Sequence, residues 1–407
     1  MATPSPIGER LARLRNFRGL TQEELAEKAG ISVDVIRRLE QARRKTARWS
    51  TLTKLAKTLD VELSTLVTPP SLLERSHGDS KSGLLEIRCA LTASSELPGM
   101  DDYAEDDEVP SLDELGRSVA HAWKVYQSGE FSTLSTLLPT LITAARRATR
   151  EYDGDQKAAA YSALATTYNM GAGVTVMLGH EDLAFTAVER SVAASRHADD
   201  PLCYAASAVF LSWILLKQGR YDQAERAAVT MAENIEPSFT KAPSEELATF
   251  GNLLVNGSAA AVRDDRGERA DDLLSVARAA AARVGEDRVE QWSVFGPRVV
   301  GMYAANNAVE LGDMERALHL AEQVPPAVGV VPVTWEARYS LNIAYAQVEL
   351  RRDTEAVDSL WQARTVAPEW IKYPALGHWV VRELLDRGGR RREPRLATLA
   401  DHLKVVV

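Results

Sequence analysis

Thr21-Gln-Glu-Glu-Leu-Ala-Glu-Lys-Ala-Gly-Ile-Ser-Val-Asp-Val-Ile-Arg-Arg-Leu-Glu40 spells two short helices joined by a tight turn. Thr21 and Glu24 stand at capping-box spacing, where a hydroxyl and a carboxylate each satisfy a backbone N–H that the first helical turn leaves open. Leu25, Ala26 and Ala29 form one buried stripe, and Gly30 ends the helix where a left-handed residue is wanted. Ser32 caps the second helix, whose Val35, Ile36 and Leu39 can face a core. Val33, Asp34, Arg37 and Arg38 then point outward.

Working outward, Ile7, Leu11 and Leu14 mark an earlier amphipathic helix. Leu52, Leu55, Ala56 and Leu59 mark a fourth helix, and Leu63 and Leu66 a short fifth. Apolar stripes on two helices alone describe any helical hairpin, but both caps and the flanking pattern narrow the reading. This five-helix string, over roughly residues 7–67, resembles the Cro/cI-type (XRE) helix-turn-helix family. Gln22, Leu25, Ala26, Gly30, Ser32, Ile36 and Glu40 match that family's motif. Ala42 departs from it by replacing the usual glycine, at a cost of about 1 kcal/mol if left-handed, so the following turn is expected to be reshaped. The resemblance implies double-stranded DNA as partner, read by a homodimer on a palindromic operator. It implies base-edge contacts from Val33, Asp34, Arg37 and Arg38, and phosphate contacts from Arg15, Gln22, Ser32, Arg43, Arg44, Lys45 and Arg48.

The charge distribution agrees. The 407 residues, 45% hydrophobic, suffice for two or more packed domains, and the net charge is −9. Residues 1–70 hold 13 Lys and Arg against 8 Asp and Glu, a net of +5, so the remainder carries −14. A small basic head on an acidic body suits a chain in which only the head meets nucleic acid. If Arg37, Arg38, Arg43, Arg44, Lys45 and Arg48 all reached phosphates, affinity would fall several hundred-fold or more between about 50 and 200 mM salt. Two cysteines, Cys89 and Cys203, imply no disulfide framework and fit a reducing cytoplasm. The first residues lack the pattern of a signal peptide, and the longest uncharged stretch, Pro201–Leu216, is too short to span a bilayer. No membrane partner is expected.

Residues 69–110 read as a linker, with Pro69-Pro70, one helical stretch at Leu84–Leu91 and six acids among residues 101–108. From about 111 the chain repeats itself. A six-residue frame, turn residue first and small or apolar residue last, recurs at Gly129–Leu134, Gly179–Ala184, Gly219–Ala224, Asp265–Ala270, Gly312–Ala317 and Arg351–Ala356. Seven residues before each frame stands Ala122, Ala172, Ser212, Ser258, Ala305 or Ala344. Four residues after its end comes Leu138, Val188, Ala228, Leu274, Ala321 or Leu360. The small residue admits a neighbouring helix, the turn residue reverses the chain, and the last position fills the gap between stacked pairs.

This pattern resembles the tetratricopeptide repeat, most closely at Gly219-Arg-Tyr-Asp-Gln-Ala224, with Pro368 closing the sixth unit. The frames lie 39 to 50 residues apart, longer than that family's period of about 34, so longer helices or loops are expected. Residues 373–404 read as a terminal capping pair. The expected fold is all-α: a five-helix Cro/cI-type domain over 1–68, then a right-handed α-solenoid of six helix pairs and a cap over 111–407.

In tetratricopeptide arrays the first helix of each pair lines the concave side. Those offsets place Trp123, Trp213, Asn306 and Tyr345 at one level, Asn169 at a second, and Asn252 and Arg338 at a third. An aromatic lining with amides suits a short peptide or an apolar small molecule, though such residues also serve as packing between repeats. A helix-turn-helix head on such a body resembles the peptide-responsive RRNPP regulators and a set of actinobacterial regulators of development or secondary metabolism. The alternative is a tetratricopeptide adaptor that holds another protein, with DNA binding secondary. The seven histidines show no metal-ligand spacing, no phosphate loop follows a strand, and no convincing strand is legible. Neither a cofactor nor enzyme activity is expected.

Overall fold

The computed structural model of the chain describes residues 7–41, 47–59, 61, 66, 81–93, 109–388 and 393–405. The contacts divide it into two units, Met1–Asp79 with Pro374–Val407, and Ser80–Tyr373. The first begins with α1 (Ile7–Phe17), α2 (Gln22–Ala29), α3 (Val33–Glu40) and α4 (Trp49–Leu59). The capping box closes as its residues require: Thr21 Oγ1 accepts the Glu24 N–H at 3.1 Å, and the Glu24 carboxylate accepts the Thr21 N–H at 2.7 Å. Gly30 turns left-handed at φ 60°, and Ser32 Oγ accepts the Asp34 N–H at 3.3 Å. Leu25, Ile36, Leu39, Leu52, Leu55 and Leu59 form the core. Of the expected fifth helix only Leu66 is described. It is buried, and its carbonyl accepts Nε and an Nη of the buried Arg10 at 2.9 and 2.6 Å. Ala42, Leu63 and the acidic run at 101–108 lie outside the described residues.

The second unit starts with α5 (Lys81–Thr92), which packs on the helices Phe131–Glu151 and Glu181–Ser195 of the pairs that follow. The pairs are α6 (Leu112–Ser128) with α7 (Phe131–Glu151), α8 (Gly154–Met177) with α9 (Glu181–Ser195), and α10 (Pro201–Lys217) with α11 (Tyr221–Asn234). Then come α12 (Ser244–Arg263) with α13 (Gly267–Val284), α14 (Pro297–Glu310) with α15 (Met314–Glu322), and α16 (Val333–Glu349) with α17 (Asp353–Val366). All six turn residues, Gly129, Gly179, Gly219, Asp265, Gly312 and Arg351, are left-handed, with φ between 59° and 80°. At Asp265 and Arg351 a side chain bears that conformation at roughly 1 kcal/mol. The small residues of the frame are at most 1% exposed. Of the gap-filling positions only Ala321 is half-buried, because α15 is nine residues long and ends one residue later. The long period is a matter of helix length: α7 has 21 residues and α8 has 24.

The first helices of the pairs pack in succession, α6 on α8, then α10, α12, α14 and α16, and α16 returns to α6. Thr334 donates to the Gln127 carbonyl at 3.3 Å. Glu369 accepts both the N–H and the hydroxyl of Ser132, at 2.7 and 3.0 Å. The six inner helices therefore form a closed cycle, and the channel denotes the inner side of that cycle.

Between α13 and α14 lies an antiparallel hairpin, β1 (Arg288–Glu290) and β2 (Ser293–Phe295). This corrects the expectation of no strand. Three-residue strands are too short for a period-two signal, and the turn is made by Gln291 and Trp292, at φ 44° and 63°, in place of the Asn and Gly that announce such turns.

The last helices are α18 (Ala375–Asp386) and α19 (Pro394–His402). The sequence suggests that they cap the repeats, yet they belong to the head's unit. Trp379 is 4% exposed, its ring lies 6.1 Å from that of Trp49, and its indole N–H donates to the Ala47 carbonyl at 3.3 Å. A head of some 60 residues buries little surface alone, and these helices enlarge its core. Among the described residues no helix is long and apolar enough to cross a membrane.

Candidate nucleic-acid interface and the channel of the repeat body

On α3, Asp34, Arg37 and Arg38 are exposed and Val33 is half-buried, while Ile36 and Leu39 on the opposite side are buried. Arg38 pairs with Asp34 at 2.7 Å one turn earlier, and Arg37 pairs with Glu23 of α2. All four side chains are about half exposed or more, so water screens these ion pairs and they open at little cost. Ser32 and Arg48 are exposed, whereas Arg43, Arg44 and Lys45 lie outside the described residues.

Arg15, expected on the phosphates, makes most of its contacts within the head. Its Nε and one Nη bond the two oxygens of Glu40 at 2.7 and 2.9 Å. The other Nη donates to Asn16 Oδ1 at 2.9 Å and to the Leu20 carbonyl at 2.8 Å. Hydrogen bonding to Glu40 holds the guanidinium above its ordinary range. Four of its five N–H groups are thus engaged within the head. Gln22 gives an amide hydrogen to the same carboxylate at 2.6 Å. Glu40 matched the family motif, but its partner stands 25 residues away, where no local spacing announces it.

In the channel, the positions chosen by repeat offset separate into three groups. The hairpin engages two of them. Trp292 stacks on Trp123 with centroids 5.7 Å apart and planes at 8°, and Asn252 donates to Ser293 Oγ and to the Val294 carbonyl, the latter at 3.1 Å. Tyr345 is 2% exposed and belongs to the packing. Trp213, Asn169, Asn306 and Arg338 form the third group. Trp123 meets Phe210 at 5.8 Å, Phe210 meets Trp213 at 6.2 Å, and the Arg338 guanidinium lies 5.7 Å from the Trp213 ring. Among the described residues, Trp123 Nε1, Asn169 Oδ1 and Asn306 Oδ1 are buried without a hydrogen-bond partner.

Lys217, Trp335 and Tyr303 join this region and escaped the offset reading. Lys217 is exposed to solvent yet walled in by protein. That enclosure, then the charges of Arg338 and Arg263, pull its ammonium down to about 8, while Glu181 and Glu310 act in the opposite sense. Burial pushes the Tyr126 phenol up to about 12, with Arg338 opposing. Trp335 and Arg338 stand three apart on α16, a spacing visible in the chain but silent about what lies across the channel.

Residues 6–66 match the family described as helix-turn-helix domain. No curated protein sequence matches the chain. Among solved structures it is similar to PlcR of Bacillus thuringiensis in complex with the peptide PapR7 and DNA, at 10% identity, covering 91% of this chain and 98% of that one, with a TM-score of 0.36. It is also similar to a Rap protein complexed with competence and sporulation factor, at 12% identity, covering 90% and 99%, with a TM-score of 0.45. Caps, turn residues and family match together make residues 6–66 a helix-turn-helix domain, joined to a body of helix pairs that repeat around left-handed turns.

Proposed function

We propose that this chain is a homodimeric, sequence-specific transcription regulator whose repeat body receives a peptide or small-molecule ligand that alters DNA affinity. The observation that carries the reading is the exposed face of α3, with Asp34, Arg37 and Arg38 beside a capped tight turn and a basic stretch following. Arg38 is the base-reading arginine, suited to bidentate contact with guanine, and Asp34 is an acceptor for cytosine. Arg48, with Arg43, Arg44 and Lys45, holds phosphates. Two heads related by a two-fold axis read half-sites about one helical turn or a multiple apart. The ligand acts by binding more tightly to one of two states, which shifts their populations.

The test is a mobility shift on the chain's own upstream DNA, with matched and mismatched operators at several salt concentrations. Arg38→Ala should cost about 1–3 kcal/mol, confined to one base pair. Arg48→Ala should weaken every sequence alike and reduce the salt slope by roughly 0.9. Uniform losses for both variants would remove the base-reading assignment. Binding that is only weak, salt-sensitive and nonspecific would favour a protein-holding adaptor instead.

A further inference from the structure

Arg338 of α16 lies 5.7 Å from the ring of Trp213 on α10 and 5.8 Å from that of Trp335 on its own helix. In the cycle of inner helices α10 and α16 are three places apart, so this guanidinium reaches across the channel. Lys217 follows Trp213 by four residues, which sets both on the same face of α10. A second cation therefore faces the same space. The nearby Arg263 is matched by Glu310. Among the described residues, Arg338 and Lys217 have neither a carboxylate nor a carbonyl partner. Two like charges set in one space between aromatic walls repel each other unless an anion joins them.

We propose that the channel takes the carboxylate of an apolar carboxylic acid, with Arg338 as its forked donor, Lys217 as its second charge, and Trp213 and Trp335 as walls for the apolar part. This rests on the ligand reading of the body and names the chemistry of that ligand. The hairpin already engages Trp123 and Asn252, which leaves Trp213 and Arg338 for the acid. A guanidinium matches the two oxygens of a carboxylate in one plane, and the ammonium adds charge without geometric demand. An apolar peptide's free C-terminus and a small organic acid share this chemistry.

The experiment titrates the full chain by tryptophan fluorescence with N-acetyl-leucyl-phenylalanine, its carboxamide, 3-phenylpropanoate and inorganic phosphate. At least one carboxylate should bind ten-fold or more tightly than the carboxamide, and the tighter of the two acids identifies the source as peptide or organic acid. Arg338→Met and Lys217→Met should each reduce that preference below three-fold, with unchanged circular dichroism. Arg338→Lys, which keeps charge without the fork, should retain part of it. Equal binding of acid and amide, no binding of either acid, a preference that survives both methionine variants, or phosphate competing as well as the acids would each overturn the proposal. The titration contains no DNA, so its failure is distinct from failure of the regulator reading, which the mobility shift reports.

Discussion

Arg15 and Arg48 look alike in the sequence as two basic residues of a basic head, and the structure gives them opposite surroundings. Arg48 is exposed, whereas the Arg15 and Glu40 side chains are only 13% and 8% exposed. Removing Arg15 would leave the Glu40 carboxylate enclosed with only the Gln22 amide to satisfy it. Arg15→Ala should therefore destabilise the head by about 3 kcal/mol. In thermal melts the head's transition should fall by several degrees or more. A wild-type melt for Arg15→Ala, accompanied by weaker DNA binding, would return Arg15 to the phosphates.

The hairpin is the element that departs most from a simple repeat. Its seat depends on Gly251, where an added Cβ would lie 2.0 Å from the Phe295 ring. Phe295 is 1% exposed and part of the core that α12 shares with α13 and α14. Gly251→Ala should push β2 off α12, at roughly 1–3 kcal/mol, and break the Asn252 hydrogen bonds to Ser293 and Val294. Amide hydrogen exchange across residues 288–295 should then accelerate, with α6 to α10 still protected. If exchange in the hairpin stays slow, Phe295 has been accommodated by repacking and the hairpin does not depend on this close approach.

At the scale of the whole molecule, one unit is assembled from two distant stretches of chain. Trp379 and Ala47 are 332 residues apart, yet an indole N–H and a carbonyl join them. Trp379→Ala would open a large cavity against Trp49 and should cost the head about 3–5 kcal/mol. The expected outcome is a head that melts early and binds DNA weakly although no DNA-facing residue has changed, while the transition of Ser80–Tyr373 stays where it was. An unmoved head transition would show that α1 to α4 are stable without α18 and α19.

The local order of this protein was legible in its chain. Thr21, Gly30 and Ser32 act through backbone groups two to four residues away, and the six turn residues from Gly129 to Arg351 do the same. Helix caps, left-handed turns and buried stripes are short-range physics with a fixed spacing, so a string of residues carries them in full. The pairing of Arg15 with Glu40, the stacking of Trp292 on Trp123, the reach of Arg338 to Trp213, the closure of α16 on α6 and the return of α18 to the head depend on contacts between residues 25 to 332 positions apart. Those contacts are selected by shape and polar complementarity among surfaces that exist only once the helices have packed, and tertiary structure alone decides them.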